Sequence, residues 1–228
     1  MKLTRPTKPF RIAAILAASF LFSPITNAGY IFFDDRAAFE AASGLSGVNE
    51  DFEEGSVTPG GVSSTTNLLN SVTNDTTFST GDIVAGLNIG ASNGDIVALG
   101  AGLLGDSVSV GANLFSATTF LTFDMGYSAI GLDLFSNVNS DIFDITLFGL
   151  TGLEIGNTTA SDIGSSLSFF GVISDNDLIT KIDFSSQSSA GEIIDNITYA
   201  NSVNVPEPAS VLLLGLGLLG LNLSRKKS

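Results

Sequence analysis

The side chains that could do chemistry here are few in kind. The 228-residue chain contains no Cys and no His. No thiol nucleophile, zinc finger, HExxH site or Ser-His-Asp triad can be assembled from it. What it offers is carboxylates: residues 29–205 hold 22 of them against two cations, Arg36 and Lys181. Two carboxylates roughly 5–10 Å apart across a cleft are the minimum for glycoside hydrolysis. With 22 carboxylates such a pair is unavoidable, so it does not by itself indicate an enzyme. The reading is therefore non-catalytic, with no catalytic residue assigned. A weak glycoside hydrolase stands as the second alternative. Nucleic acid is excluded as a partner, because phosphate recognition needs a basic footprint that this segment lacks.

Aromatic residues are the second source of chemistry, since sugar rings are bound on aromatic faces. Trp is absent and there are three Tyr. Tyr127, in Asp124-Met-Gly-Tyr, reads as a turn residue and is the candidate ligand-binding aromatic. The 17 Phe fall mostly inside strand patterns and read as core.

The elements that must position these residues are strands. Asp34–Ser43 reads as one short helix with an Asp cap, ended by Gly44. Asn49–Glu54 reads as a strand with Phe52 inward. Residues 56–80, rich in Ser, Thr and Asn, read as a loop with one strand near Thr76–Ser79. Beyond Asp82 the pattern is strand after strand: Ile83–Ile89, Ile96–Leu99, Ser107–Val110, Ala117–Phe123, Ile130–Leu134, Ile142–Phe148, Leu153–Asn157, Phe169–Ile173, Ile179–Phe184 and Ile193–Tyr199. Apolar residues at every second position, bounded by Gly, Asn, Asp and Ser, are the strand signature. The expected fold is mainly β: an antiparallel β-sandwich or jelly roll, with an N-terminal signal helix and a C-terminal hydrophobic helix.

Both ends of the chain carry addressing signals. Lys2, Arg5, Lys8 and Arg11 precede an apolar run, Ile12–Phe22, and Thr26-Asn27-Ala28 offers cleavage after Ala28. Residues 1–28 thus read as a signal peptide, 29–205 as an extracytoplasmic sandwich, and 206–228 as a second signal. In that last segment Pro206-Glu207-Pro208 precedes an apolar run at 209–223, and Arg225-Lys226-Lys227 closes the chain. Fifteen helical residues span about 22 Å, short of a roughly 30 Å hydrocarbon core. The terminal cations should stay cytoplasmic.

These three parts in this order resemble the PEP-CTERM sorting signal, a tail also known as the ice-binding protein C-terminal domain. The resemblance implies an exosortase as partner. It also implies a transient inner-membrane stop through 209–223, then delivery to the surface or matrix of a Gram-negative bacterium, usually one that makes exopolysaccharide. The body is similar to uncharacterised PEP-CTERM ectodomains at Ala129–Phe135, Phe169–Asp175 and Gly191–Ile197. Those ectodomains look like carbohydrate-binding jelly rolls. A jelly roll of that kind implies a structural calcium ion between first and last strands, which here would recruit Asp51, Glu53 and Asp195, with Asn196 or a backbone carbonyl. The competing reading is solvated strand-end carboxylates. Asp175–Asp177 and Asp141–Asp144 are alternative pairs, and neither has EF-hand spacing.

The expectation is an exported, exosortase-sorted, non-catalytic surface or matrix protein associated with exopolysaccharide or other surface components. A carbohydrate-binding module with a defined glycan is the first alternative.

Overall fold

The computed structural model describes residues 29–138, 140–161 and 168–201. The signal helix with Ala28, the sorting residues Pro206, Glu207, Pro208, Arg225, Lys226 and Lys227, and the apolar run 209–223 lie outside the described residues.

In chain order the elements are β1 (Tyr30–Phe33), α1 (Arg36–Ser43), β2 (Val62–Ser64), β3 (Leu68–Asn70), β4 (Leu87–Ala91), β5 (Ile96–Leu99), β6 (Ser109–Ala112) and β7 (Thr119–Tyr127). They continue with β8 (Ala129–Phe135), β9 (Ile142–Gly149), β10 (Glu154–Ser161), β11 (Ser168–Ser174), β12 (Ile179–Ser186) and β13 (Ile193–Ala200). The strands form a seven-stranded sheet, β1-β11-β8-β13-β6-β5-β2, and a six-stranded sheet, β10-β9-β12-β7-β4-β3. Every strand pair is antiparallel. The mainly β sandwich expected from the alternation is the fold observed.

Alternation decides which side chains meet between the sheets. Along β9, Phe143, Ile145 and Leu147 are buried and Asp144 is exposed. Leu121, Ile182 and Phe184 from the same sheet join Ile130, Leu132, Val172 and Ile194 from the other in one core. An antiparallel sheet can leave its other face wet, and the two sheets differ in this.

The outer face of the seven-stranded sheet is covered. Asp35 caps α1, its carboxylate accepting from the Ala38 amide at 2.7 Å. The helix lays Phe39 onto Gly131 and Gly171 beside Phe169. A Cβ at Gly131 would lie 2.8 Å from the Phe39 ring and 2.7 Å from the Phe169 ring. Glycine is thus required there by close approach. Over the other half of that face Val97, Leu99, Phe135 and Ile193 pack with Leu104.

Four local expectations are corrected. Residues 49–54 form no strand, only an isolated bridge between Glu50 and Ile197. The Glu50 carboxylate accepts from the Phe52 amide at 2.9 Å and the Val84 amide at 2.7 Å, which closes a turn. Phe52 is in the left-handed region (φ 59) and fully buried. Thr76–Ser79 is a turn, because Asp75 accepts from the amides of Thr77 and Phe78 at 2.7 and 2.9 Å. The strand expected from Ile83 starts at Leu87, after Gly86 with φ 89. Tyr127 ends strand β7 instead of sitting in a turn.

Candidate functional site

Among the described residues, no helix or loop covers the outer face of the six-stranded sheet, which is open. Strand register fixes what stands on it: Gly90 faces Phe120 and Asn88 faces Thr122 between β4 and β7. Asp183 faces Phe120 and Lys181 faces Thr122 between β7 and β12. Lys181 faces Phe148 and Asp183 faces Thr146 between β12 and β9. The row ends on β10, where Asn157 stands opposite Thr146.

Lys181 is the centre of this face. Its ammonium lies 5.1 Å from the centroid of Phe120 and 4.8 Å from that of Phe148. Asp183 holds it, with Nζ 2.7 Å from Oδ1 and 2.9 Å from Oδ2. Two aromatic rings thus flank a half-buried cation whose charge is cancelled by one carboxylate. Phe120 is laid flat by the absence of a side chain at Gly90, where a Cβ would sit 2.4 Å from its ring. Asn88, Thr122, Thr146 and Asn157 add amide and hydroxyl groups around the two rings. This arrangement offers apolar ring faces beside donors and acceptors, the combination that fits the faces and hydroxyls of a sugar.

A second cluster lies on the covered face, under α1. Arg36 donates from NH2 to Asp133 Oδ1 at 3.0 Å and to the Asn196 carbonyl at 2.8 Å. It donates from NH1 to Thr198 Oγ1 at 3.2 Å. Its guanidinium lies 4.7 Å from the Phe169 ring centroid. Asp133 also accepts from Asn196 Nδ2 at 2.8 Å. This junction opens into a cleft of about 840 Å³ whose lining includes Phe32, Phe33, Arg36, Asp133 and Phe169.

Among the residues expected to hold calcium, Asp195 is fully buried and stands opposite Asp133 in the β8–β13 register. It accepts from Ser107 Oγ and from the Asn196 amide, the latter at 2.7 Å. Burial pushes its carboxyl up to about 7, the charges of Asp133 and Glu53 adding to the push and the hydrogen bonds opposing it. Glu53 accepts from the Val108 amide at 2.8 Å. Asp51 groups elsewhere, its carboxylate oxygen falling within 4.8 Å of those of Glu50 and Glu54. A divalent cation would find three oxygens at that second place. Burial also raises the Glu50 carboxyl, against hydrogen bonds from Val84 and Phe52.

Tyr127 is half-buried, and its ring packs on Tyr199 at 4.7 Å and on Phe123 at 5.4 Å between centroids. Its contacts are with the core rather than with the open face. Sequence reasoning missed Phe120, Phe148 and Lys181 as a set because it assigned Phe to the core as a class. The signal was present: in Ile142–Phe148 the alternation that buries Phe143 puts Phe148 on the opposite face.

The sandwich is similar to a family 29 carbohydrate-binding module complexed with cellulohexaose, at TM-score 0.38 and 12% identity over 64% of this chain and 98% of that one. It is also similar to a second family 29 module, at TM-score 0.38 and 11% identity over 65% and 97%. The family 11 module of a Clostridium thermocellum cellulosomal cellulase matches at TM-score 0.30 and 14% identity over 52% and 89%. Among curated proteins no relative matches the chain. Residues 204–226 match the PEP-CTERM protein-sorting motif, which marks this chain as an exported protein.

Proposed function

We propose that the chain is a non-catalytic surface or matrix protein, processed by an exosortase, whose sandwich associates with exopolysaccharide through the open six-stranded face. The observation that carries this reading is the placement of Phe120 and Phe148 on either side of Lys181 on a wet sheet face, in a chain bearing an export-sorting motif. Hydrolysis is the weaker reading. Asp195, the carboxyl held near 7, is fully buried and does not line the cleft that Asp133 lines. The two therefore do not face a common substrate space, as an acid–base pair must.

The test is co-sedimentation of the purified protein with the producing cell's exopolysaccharide, with and without calcium. Wild type should bind saturably, and the Phe120→Ala/Phe148→Ala double variant should bind at least about tenfold more weakly, the scale of losing two aromatic anchors. Tyr127→Phe should bind like wild type. Equal binding by the double variant would refute the open face as the site. No binding in either buffer would refute the glycan reading and leave a protein partner. Sorting is tested separately: alanines at Pro206, Glu207 and Pro208 should leave the protein in the inner membrane.

A further inference from the structure

We propose that the end of the sandwich from which the sorting tail leaves is a membrane-contact surface, its loop tips entering the headgroup region of a zwitterionic bilayer. This rests on the sorting reading for the tail and adds a role for the folded domain.

Exposed apolar side chains occur at both ends of the sandwich, Phe115, Val138, Leu114 and Ile142 at one being 41–50% exposed, but the most exposed gather at the other. Among the described residues, the four most exposed large hydrophobics are Val72 at 74%, Leu150 and Leu153 at 69% each, and Met125 at 66%. Strand register puts all four at one end. Leu150 and Leu153 are in the β9–β10 hairpin, closed by the Gly149 amide donating to the Leu153 carbonyl at 3.0 Å. Ile179 pairs with both Gly149 and Tyr127, so Leu178, 37% exposed, sits between that hairpin and the last residues of β7. Met125 is in the irregular stretch of β7 between Thr122 and Tyr127. Val72 follows β3, whose Asn70 pairs with Asn88 beside Thr122.

The chain leaves from the same end. β13 finishes at Ala200, paired with Ala129 next to the β7–β8 turn. Seven residues, 202–208, then separate Asn201 from the apolar run that begins at Ala209. Seven extended residues reach at most about 25 Å. Whatever membrane takes up the apolar run lies within that distance of Asn201, which follows β13 at the end of the sandwich that carries the exposed loop tips.

Single exposed leucines need no explanation, but several gathered at one end mark an interaction surface. They protrude on separate hairpins and strand ends, which suits a soft, planar partner better than a helix seated in a groove. The neighbouring charges are carboxylates, Asp124, Glu154, Asp175 and Asp177. They disfavour an anionic surface, which is why the occupant is a zwitterionic bilayer.

The absence of native Cys permits a direct test on the full chain. An environment-sensitive dye is attached to the Leu150→Cys or Leu153→Cys variant, and as a control to Leu114→Cys. Leu114 lies beyond β6, before β7 begins, at the opposite end. The proteins are reconstituted with phosphatidylcholine vesicles, and flotation scores anchoring by the tail independently of the dye. At positions 150 and 153 the dye should be several-fold less accessible to aqueous iodide in vesicles than in detergent-free solution. It should also be quenched by nitroxides near the lipid headgroups, while the dye at position 114 responds to neither. Flotation with full iodide access at positions 150 and 153 would overturn the membrane contact and leave the anchoring reading intact. Failure to float would overturn both. Shielding already present without vesicles would overturn the bilayer as occupant, in favour of the chain's own apolar run or a second copy. To separate contact from misfolding, a Val72→Ser/Met125→Ser pair is added to the labelled variants. It should restore iodide access without changing flotation or the thermal transition.

Discussion

Asp195→Asn tests the electrostatics of the covered face. Asp195 is fully buried, and its carboxyl titrates at about 7 against an ordinary 3.8. The sign follows from proton counts. Between those two values the unfolded chain is ionised and the folded chain keeps its proton, so unfolding releases one proton. Stability therefore falls as pH rises from about 4 and levels off above about 7. The full span corresponds to roughly 4 kcal/mol, at about 1.4 kcal/mol for each tenfold change in proton affinity. For a domain of this size that is about 10 °C in Tm. Asn at this position keeps an oxygen for the Asn196 amide and gives Ser107 an NH2 to accept from. At pH 8 the variant should be more stable than wild type, and near pH 4 the two should coincide. The assay is thermal unfolding of both proteins from pH 4 to 8 in chelator, read as the difference between them. That difference cancels the shared contributions of Glu50 and Glu192, whose carboxyls burial also raises. A pH-independent difference would refute the assignment of a neutral, buried Asp195. A wild type that gains stability over the variant only when calcium is added would show instead that Asp195 works ionised, as a ligand.

The remaining predictions concern packing, Arg36 and the open face. Gly131→Ala should lower stability by about 1–3 kcal/mol, because its Cβ would press on the rings of Phe39 and Phe169 at 2.8 and 2.7 Å; denaturant unfolding measures it. Arg36→Leu should cost about 1–3 kcal/mol, since it leaves the half-buried Asp133 without its cation and with only the Asn196 Nδ2 hydrogen bond. Arg36→Lys should recover less than half of that in the same assay, because one ammonium cannot serve Asp133, Asn196 and Thr198 together. Gly90→Val should weaken exopolysaccharide binding by displacing the Phe120 ring, which a Cβ would meet at 2.4 Å; co-sedimentation reads it.

What the sequence revealed and what it hid follow one physical division. Strands with strict alternation match the structure to within a residue, as where the expected Ile142–Phe148 is β9, Ile142–Gly149. Their pattern is set by burial on one face, and burial is written in side-chain type. The misread segments are those where a carboxylate organises the backbone locally. Glu50 gathers the amides of Phe52 and Val84, and Asp75 gathers those of Thr77 and Phe78. An apolar residue next to such a carboxylate reads as a strand even when it is folded inward by a turn, as Phe52 is. β2 and β3 are three residues long and were lost in a Ser- and Thr-rich stretch with no period to find. The open face required knowing which sheet α1 covers. Phe169 and Phe148 look alike in sequence, and only tertiary contact puts one beneath Arg36 and the other beside Lys181 in the open.

The charge pattern narrows the kind of polymer the open face can meet. Residues 29–205 hold two cations, and each is already paired, Arg36 with Asp133 and Lys181 with Asp183. The electrostatic field outside the sandwich is then that of its carboxylates alone. A polyanionic glycan approaching Phe120 and Phe148 would meet repulsion from Asp144 and Asp124 on the same face, and Lys181 has no net charge left with which to offset it. A neutral glycan meets only ring faces, amides and hydroxyls, and its binding should change little with salt. A polyanion should bind only when a divalent cation bridges it to carboxylates, and that binding should be lost in chelator. Repeating the co-sedimentation with a neutral and a uronic-acid polymer, each with calcium and with chelator, separates the two cases. Calcium-independent binding of the polyanion that strengthens at low salt would refute this account, because it would require a free cation that the ion-paired face lacks.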